Sequence, residues 1–188
     1  MIIGISGAQG QGKSTLIQAA IEKDSRVVDS KLQTSRHLLE NWNYSLPEIN
    51  KYLPLKIRFQ ENLLLNHIQS LHGFLQQENT ILVERTFADI FVYALVSVGP
   101  FNEYSDWLNN YAMECQAAQQ RLFDWSIYLS GRDYIPEEDN VRSVNPHFTA
   151  MVDSLIKKYT VEFSMGKGAE ITVAYLNDRV KSLLARIE

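Results

Sequence analysis

Short apolar runs alternate along the chain with longer stretches in which apolar residues recur at helical spacing. The runs predict strands at 1–6, 26–29, 80–84, 125–129 and 170–173. The longest helical stretch covers about 54–77. Because strands that alternate with helices form right-handed β-α-β units, we expect an α/β fold: a parallel sheet of about five strands, with helices on both faces. Ligands of such sheets bind at the carboxyl ends of the strands.

The first predicted strand runs directly into a glycine-rich turn, which is followed by a helical pattern. The turn has the spacing G-x-x-x-x-G-K-[ST] of a phosphate-binding loop. Glycine lets main-chain N–H groups approach a polyphosphate, and the helix N-terminus favours the anion. Lys13 is expected to reach the β- and γ-phosphates, and the Ser14 hydroxyl to ligate Mg²⁺. The residues predicted to bind a nucleoside triphosphate are Gly7, Gln9, Gly10, Gln11, Gly12, Lys13, Ser14 and Thr15.

A charged pair, Glu84 and Arg85, ends the third predicted strand. An acid at such a strand tip faces Mg²⁺ and the attacking group in P-loop proteins, so Glu84 is expected to accept a hydroxyl proton or to hold water on the metal. Arg85 is a planar cation suited to bidentate phosphate contact. Asp89 and Tyr93 lie four residues apart on one face of the next helix and are predicted to line the same cleft. The alternatives are a first-turn acid for Asp89 and core packing for Tyr93.

Four further polar residues are candidates for contact with a substrate. Asp29 is expected at the carboxyl end of the second strand, and Arg36 lies on the polar face of a weakly helical stretch. Arg58 and Gln60 interrupt the apolar stripe of the long helix near its N-terminal end. Each of them either faces solvent or lines a pocket.

A long polar connection, about 131–146, follows the fourth strand. A connection of this length inside a domain is usually functional, and we expect it to form a lid. Arg132 and Arg142 lie near its ends, and Arg142 is predicted to neutralise charge on a transferred phosphoryl group. The alternative is ion pairing with the acids of the same segment, which are Glu137, Glu138 and Asp139.

Length and composition narrow the function classes. With 188 residues, 45% of them apolar, the chain is expected to form a single domain, 1–188, that carries the lid. The net charge of −4 provides no overall attraction to nucleic acid or to anionic lipid. The single cysteine, Cys115, cannot form an internal disulfide, and neither a membrane span nor a signal peptide is expected, so we predict a cytoplasmic protein. A homodimer is compatible with the sequence.

Together these motifs resemble the P-loop nucleoside and nucleotide kinases, especially the small bacterial and phage group similar to nicotinamide riboside kinase. The run Glu84-Arg85-Thr86, with Asp89 and Tyr93, resembles the Glu-Arg-Ser motif of deoxynucleoside kinases and the Asp-Arg-Tyr motif of thymidylate kinases. The run from Asp139 to Arg142 resembles the lid of this group.

The resemblance implies a P-loop NTPase three-layer sandwich that uses ATP and Mg²⁺. It makes Glu84 the base or the Mg²⁺ organiser, Arg85 the residue that grips the acceptor, and Arg142 the lid arginine. Deoxynucleoside kinases have closely spaced lid arginines, whereas Arg132 and Arg142 are ten positions apart here, and thymidylate kinases have Asp at the place of Glu84. The identity of the acceptor therefore stays open.

Three functions remain open. The first is transfer of the γ-phosphoryl group of ATP to a small nucleoside or nucleotide. The second is transfer to a hydroxyl of a modified base in phage DNA, for which a local basic patch is available from Arg26, Lys31, Arg36, Lys51, Lys56 and Arg58. The third is a nucleotide-gated binding module without transfer. A GTPase is not expected, because the sequence has no Asn-Lys-x-Asp guanine motif.

Overall fold

The computed structural model describes residues 1–32, 35–130 and 145–187. Its strands are β1 (Ile2–Ser6), β2 (Val27–Asp29), β3 (Thr80–Glu84), β4 (Trp125–Leu129) and β5 (Gly168–Ile171). Its helices are α1 (Lys13–Lys23), α2 (Ser35–Trp42), α3 (Leu46–Lys51), α4 (Leu53–His72), α5 (Phe87–Val98), α6 (Ser105–Leu122), α7 (Pro146–Ser164) and α8 (Leu176–Leu184). None of the described helices combines the length and the apolar composition needed to cross a membrane.

The strands form a five-stranded parallel sheet in the order β2-β3-β1-β4-β5. The first strand is therefore central. Its last residues pair with the tips of both neighbours, Ile5 with Glu84 of β3 and Ser6 with Tyr128 of β4. The turn after β1 consequently emerges between two other strand ends, on the edge where ligands of open α/β sheets bind.

Side chains that alternate along the strands build a separate core on each face of the sheet. Ile2, Ile81 and Val83 pack in one cluster with buried residues of α4, α5 and α6. Ile3, Ile5 and Leu82 pack in a second cluster with α1 and α8. Because helices cover both faces, the predicted three-layer α/β architecture is confirmed.

The structure moves three predicted boundaries by a few residues, for local reasons. The long helix ends at His72 instead of near residue 77, since Gly73 follows it as the C-cap. Helix α7, which the apolar pattern predicts over about 146–159, continues to Ser164. It ends where Met165 and Gly166 take left-handed backbone angles, φ 44° and 88°. Strand β5 begins at Gly168, two residues before the prediction. Glycine fits at this position because an added Cβ would lie only 3.3 Å from the Ser164 Cβ.

The residues around Gly4 in the central strand β1 are tightly packed. A Cβ at this position would lie 2.6 Å from the Thr86 methyl carbon and 3.1 Å from the Phe123 ring. Because Thr86 caps α5 and cannot retreat freely, we expect Gly4→Ala to lower the free energy of unfolding by about 1–3 kcal/mol. Gly73→Ala is the control, since Gly73 is exposed with ordinary helical angles, and its stability should stay within about 1 kcal/mol of the parent. Denaturant titration of both variants measures this, and equal unfolding midpoints would contradict the predicted packing.

Candidate functional site

The turn after β1 has the backbone that a phosphate-binding loop requires. Gly7, Gly10 and Gly12 have φ angles of 144°, 80° and 84°, in a region that side chains disfavour. A Cβ on Gly7 would also lie 3.0 Å from the Leu129 carbonyl oxygen. Helix α1 begins at Lys13, and Gly12 caps it without a side-chain hydrogen bond. The first N–H groups of α1 are thus not capped by the side chain of the preceding residue, and a helix end of this kind attracts anions.

Lys13 is buried beneath this turn. Its Nζ donates to the carbonyl oxygens of Gly7 and Ala8, each at 2.8 Å. Burial, and next the positive charge of Arg85, lower the pKa of Lys13 to about 8, against the opposite influence of nearby carboxylates. The lysine is therefore held next to the turn in a state close to its protonation midpoint at pH 8.

The end of β3 brings a carboxylate to the start of α1. Ser14 Oγ donates to Glu84 Oε2 at 2.7 Å, so the first and second predicted motifs are in direct contact. A cleft of about 360 Å³ opens at this junction. Its lining residues are Gln9, Gly10, Gln11, Gly12, Lys13, Ser14, Thr15, Glu84, Arg85, Leu176 and Arg179.

A hydroxyl and a carboxylate in contact form a suitable start for a Mg²⁺ site. Mg²⁺ prefers hard oxygen ligands and is usually held by one or two protein groups together with substrate phosphates and water. Ser14 and Glu84 supply two such oxygens beside the turn. Within 1–32, 35–130 and 145–187 there is no cluster of three or more His, Cys, Asp or Glu that could bind a metal without such help.

Arg85 has an unusual backbone, with φ 79° in the left-handed region. Its guanidinium lies over the Tyr93 ring, 5.2 Å from the centroid, so the structure brings these two predicted residues together. The pKa of Arg85 is raised above its usual value although burial opposes this, chiefly because of Tyr93 and then because of Asp89 and Glu84. The cation is thus firmly charged beside the cleft.

His67 lies buried near Arg85, a position that the sequence analysis did not anticipate. The imidazole packs edge-on against Phe87, with 5.1 Å between ring centroids. Burial lowers the pKa of His67 to about 4, so the ring is neutral at pH 7. A neutral ring at this place adds no charge beside the Arg85 cation.

Asp89 was predicted to line the cleft, but it is not among the lining residues. It is fully buried, and its Oδ2 accepts from Ser6 Oγ at 2.7 Å, from Thr86 N at 2.8 Å and from Thr86 Oγ1 at 2.9 Å. Its Oδ1 accepts from the Gly7 N–H at 3.2 Å. Because both oxygens are engaged by protein donors, the structure supports the alternative in which Asp89 caps α5, and it adds a tie to the phosphate-binding turn.

A second carboxylate that the sequence analysis missed holds the next amide of the turn. Asp153 of α7 accepts from the Ala8 N–H at 3.2 Å and from the Tyr128 hydroxyl at 2.7 Å. Burial and this carboxylate raise the pKa of Tyr128 well above its usual value, so the phenol keeps its proton. The available signal was an acid next to Val152 on the buried stripe of α7, where an unpaired charge is unfavourable.

Besides Asp89, five predicted substrate residues lie outside the lining of this cleft: Asp29, Arg36, Arg58, Gln60 and Tyr93. Asp29 accepts from the Lys31 N–H at 2.9 Å, and Arg36 borders a separate recess of about 430 Å³ between α2 and α3. Arg58 lies over Trp42, 5.6 Å from the ring centroid. Gln60 is buried, and its main-chain carbonyl accepts from the Tyr111 hydroxyl. Their roles in binding a substrate stay predictions.

The predicted lid cannot be placed on this framework. Arg132 and Arg142, and with them the acids at 137–139, lie outside the described residues. The assignment of Arg142 to catalysis therefore also stays a prediction.

Comparison with known proteins shows the class of fold. The deoxyadenosine kinase from M. mycoides with bound dATP has a TM-score of 0.66 at 19% identity, and the match covers 100% of this chain and 99% of that one. The thymidylate kinase from Candida albicans has a TM-score of 0.65 at 16% identity, with 99% and 90% covered. The NadR protein in complex with NR has a TM-score of 0.67 at 11% identity, and the match covers 99% of this chain and 49% of NadR, so the chain spans about half its length.

The parallel sheet, the glycine turn and these likenesses show that the chain has the fold of the P-loop nucleoside and nucleotide kinases. No protein-family model matches the sequence, and no curated protein matches it. The fold thus rests on the structure and not on similarity of sequence.

Asp89→Asn tests whether this acid has the structural role that its contacts indicate. An amide offers one acceptor oxygen and turns an NH₂ group towards donors, so at least one buried partner is left unpaired. We expect the free energy of unfolding to fall by about 1–3 kcal/mol. The control is Asp106→Asn, an exposed acid in the first turn of α6, which should change stability little. Equal stability of the two variants in urea titration would contradict the structural role.

Proposed function

We propose that this chain is a Mg²⁺-dependent kinase that transfers the γ-phosphoryl group of ATP to a hydroxyl of a small nucleoside or nucleotide. The observation that carries the proposal is the contact of Ser14 with Glu84 at 2.7 Å. It joins the group expected to bind the metal on the donor side to the group expected to act on the acceptor. Phosphoryl transfer needs both on one cleft, because it depends mainly on positioning and on electrostatic stabilisation.

On the donor side, the amides of the glycine turn and of the α1 N-terminus bind the phosphates. Lys13, which now donates to Gly7 and Ala8, turns its ammonium group to the β- and γ-oxygens. Ser14 and Glu84 would hold a Mg²⁺ ion, which would supply positive charge to neutralise the phosphates. The residues that surround the phosphates are fixed from below by Asp89 and Asp153 before any nucleotide arrives.

On the acceptor side, Glu84 and Arg85 have complementary tasks. The Glu84 carboxylate has two oxygens, and the one that does not accept from Ser14 can take the proton of an attacking hydroxyl. Arg85, kept charged beside Tyr93, orients an anionic or polar group of the acceptor. Both residues end the same strand, so the acceptor is presented to the phosphates from the β3 side of the cleft.

The similar structures support a nucleoside or nucleotide as acceptor, since they are kinases of that class. Support for a DNA acceptor is weaker. Two members of the predicted basic patch contact their own chain, because Arg26 pairs with Asp24 at 2.7 Å and Lys56 donates to the Ser97 carbonyl at 3.2 Å. We therefore place small acceptors first and keep duplex DNA with modified bases as one arm of the test.

The test is acceptor-dependent ADP release from Mg·ATP. The acceptors are a panel of nucleosides and nucleoside monophosphates that includes deoxyadenosine, thymidylate and nicotinamide riboside, and, as a separate arm, duplex DNA with modified bases that carry a hydroxyl. For the acceptor found, we expect Glu84→Gln to reduce kcat by about 10²–10⁴-fold, because the base is lost. Glu22→Gln, an exposed acid of α1, is the matched control and should keep the parental rate. A Glu84→Gln enzyme with parental kcat would contradict the assignment of Glu84 as the base. If no nucleoside or nucleotide of the panel stimulates ADP release, the proposed substrate class is wrong.

Two substitutions, Glu84→Gln and Lys13→Ala, distinguish a kinase from a nucleotide-gated binding module. In a module, Glu84→Gln should keep the biological effect while Lys13→Ala abolishes it. In a kinase, both substitutions should abolish it.

We expect nucleotide binding to be accompanied by proton uptake at Lys13. Its pKa is about 8 without ligand, and polyphosphate next to the ammonium favours the charged form, so binding should raise this pKa. At pH 8 we expect an uptake of about half a proton per ATP bound, falling towards zero at pH 6.5. Calorimetric titration in two buffers of different ionisation enthalpy measures the uptake.

The control for this measurement is Lys13→Arg. Its guanidinium stays protonated, so this variant should bind ATP without proton uptake. Heats at pH 8 that do not depend on the buffer in the parent would contradict the predicted titration of Lys13.

A further inference from the structure

Arg179 is an almost completely buried cation at the mouth of the cleft, with 2% of its surface exposed. It lies in α8, far along the chain from the glycine turn. Its Nε donates to the Val173 carbonyl at 2.7 Å, its Nη1 to the Gln11 carbonyl at 2.9 Å and its Nη2 to the Ser130 carbonyl at 2.9 Å. One guanidinium group thus contacts three separate backbone segments.

The three segments follow the carboxyl ends of β1, β4 and β5, which lie at the same edge of the parallel sheet. Gln11 is in the phosphate-binding turn, and Ser130 follows β4 directly before the segment predicted as the lid. Val173 lies in the connection between β5 and α8. Arg179 also lines the same cleft as Lys13 and Ser14, so the tie is next to the site and not on a remote surface.

The bond to Gln11 determines which way one loop peptide points. All described peptide bonds are trans, so the C=O of Gln11 and the N–H of Gly12 point in opposite directions. Because the Gln11 carbonyl points to the Arg179 guanidinium, the Gly12 N–H is directed away from that group. The left-handed φ of Gly12, 84°, lets the chain enter α1 from this orientation.

We infer that Arg179 is a positioning residue for the nucleotide donor: it fixes the Gln11–Gly12 peptide and links the turn to the connections after β4 and β5. This inference rests on the proposed function, since it concerns the ATP side of the same cleft. The residue acts through the backbone of its three partners and takes no part in proton transfer. Its permanent charge also adds to the positive potential around the phosphates.

An arginine suits this task for geometric reasons. The guanidinium is a rigid planar fork with five donors, which can address three carbonyls in different directions. A lysine has three donors on one atom and can serve only part of this arrangement. A buried charge is unfavourable unless polar groups surround it, and the three carbonyl dipoles supply this compensation.

The experiment compares Arg179→Met, Arg179→Lys and the parent for binding of a fluorescent ATP analogue with Mg²⁺ and without acceptor. We expect the methionine variant to weaken binding about 10–100-fold, as for loss of hydrogen bonds to a charged group, and the lysine variant to lie between. In the transfer assay, KM for ATP should rise while KM for the acceptor stays within about threefold. Arg186→Met is the matched control. Arg186 follows α8, which ends at Leu184, and its guanidinium lies over Trp125, so its loss should leave ATP binding unchanged.

Amide hydrogen exchange provides a second measurement of the same variants. Exchange in the segment 7–15 should accelerate in Arg179→Met and remain parental in Arg186→Met. If Arg179→Met does not fold cooperatively, Arg179→Lys decides, since it keeps the charge and most of the stem.

Three results would overturn the inference: a folded Arg179 variant with parental ATP affinity, an equal rise in KM for ATP and for the acceptor, or Arg186→Met losing ATP affinity to the same degree. A parent that binds ATP but transfers to no acceptor contradicts the proposed function and leaves the role of Arg179 in donor binding intact. A parent that does not bind ATP overturns both.

Discussion

The parallel ladder between β1 and β3 is the constraint on which the site depends. It sets Ile5 opposite Glu84, so the strand that leads into the glycine turn and the strand that carries the acid end side by side. The Ser14 hydroxyl can then reach the carboxylate at 2.7 Å although the two residues are 70 positions apart. Both strands are buried on both faces by hydrophobic clusters, so a slip of one residue would move apolar side chains out of their cores. The register that stabilises the sheet therefore also determines the chemistry.

Charged side chains hold the main-chain groups of the first two residues of the turn. Asp89 and Asp153 accept from the N–H groups of Gly7 and Ala8, while Lys13 donates to the carbonyls of the same two residues. The N–H and C=O groups of both residues thus have partners before a nucleotide binds. An arrangement of this kind lowers the reorganisation that binding requires, since the loop is already in one conformation. It also explains why the pKa of Lys13 falls only to about 8, since the carboxylates oppose the effect of burial.

The sequence predicted the fold, because strands and helices follow local patterns. Apolar runs located the strands, and the spacing from Gly7 to Ser14 together with the charged end of β3 identified groups that the structure brings into contact. Asp89 was harder, since an acid in a first helical turn reads alike whether it faces a ligand or caps the helix. Only its burial and its four donors distinguish these cases.

Other residues could not be assigned a role from sequence. Asp153 and Arg179 contact the site across distant segments, and their immediate sequence does not identify the partner. His67 lies buried against Phe87, a contact that is equally distant along the chain. A buried polar residue on an apolar stripe signals that some partner exists, yet tertiary packing decides which one. The substrate-binding roles predicted for Arg36, Arg58 and Gln60 rested on helical faces alone, and helical periodicity places a residue on a face without telling what lies opposite.

The distribution of charge explains how an acidic chain can offer a site for the anionic ligand that we propose. The net charge is −4, so the protein as a whole repels polyanions weakly. Within the cleft, however, Lys13, Arg85 and Arg179 converge from α1, the end of β3 and α8. Their side chains are largely withdrawn from solvent, where screening by salt is weak and a charge acts on a neighbour more strongly than at the surface. Local placement of three cations, and not overall charge, is therefore the feature of this edge of the sheet that favours the small phosphorylated ligand we propose.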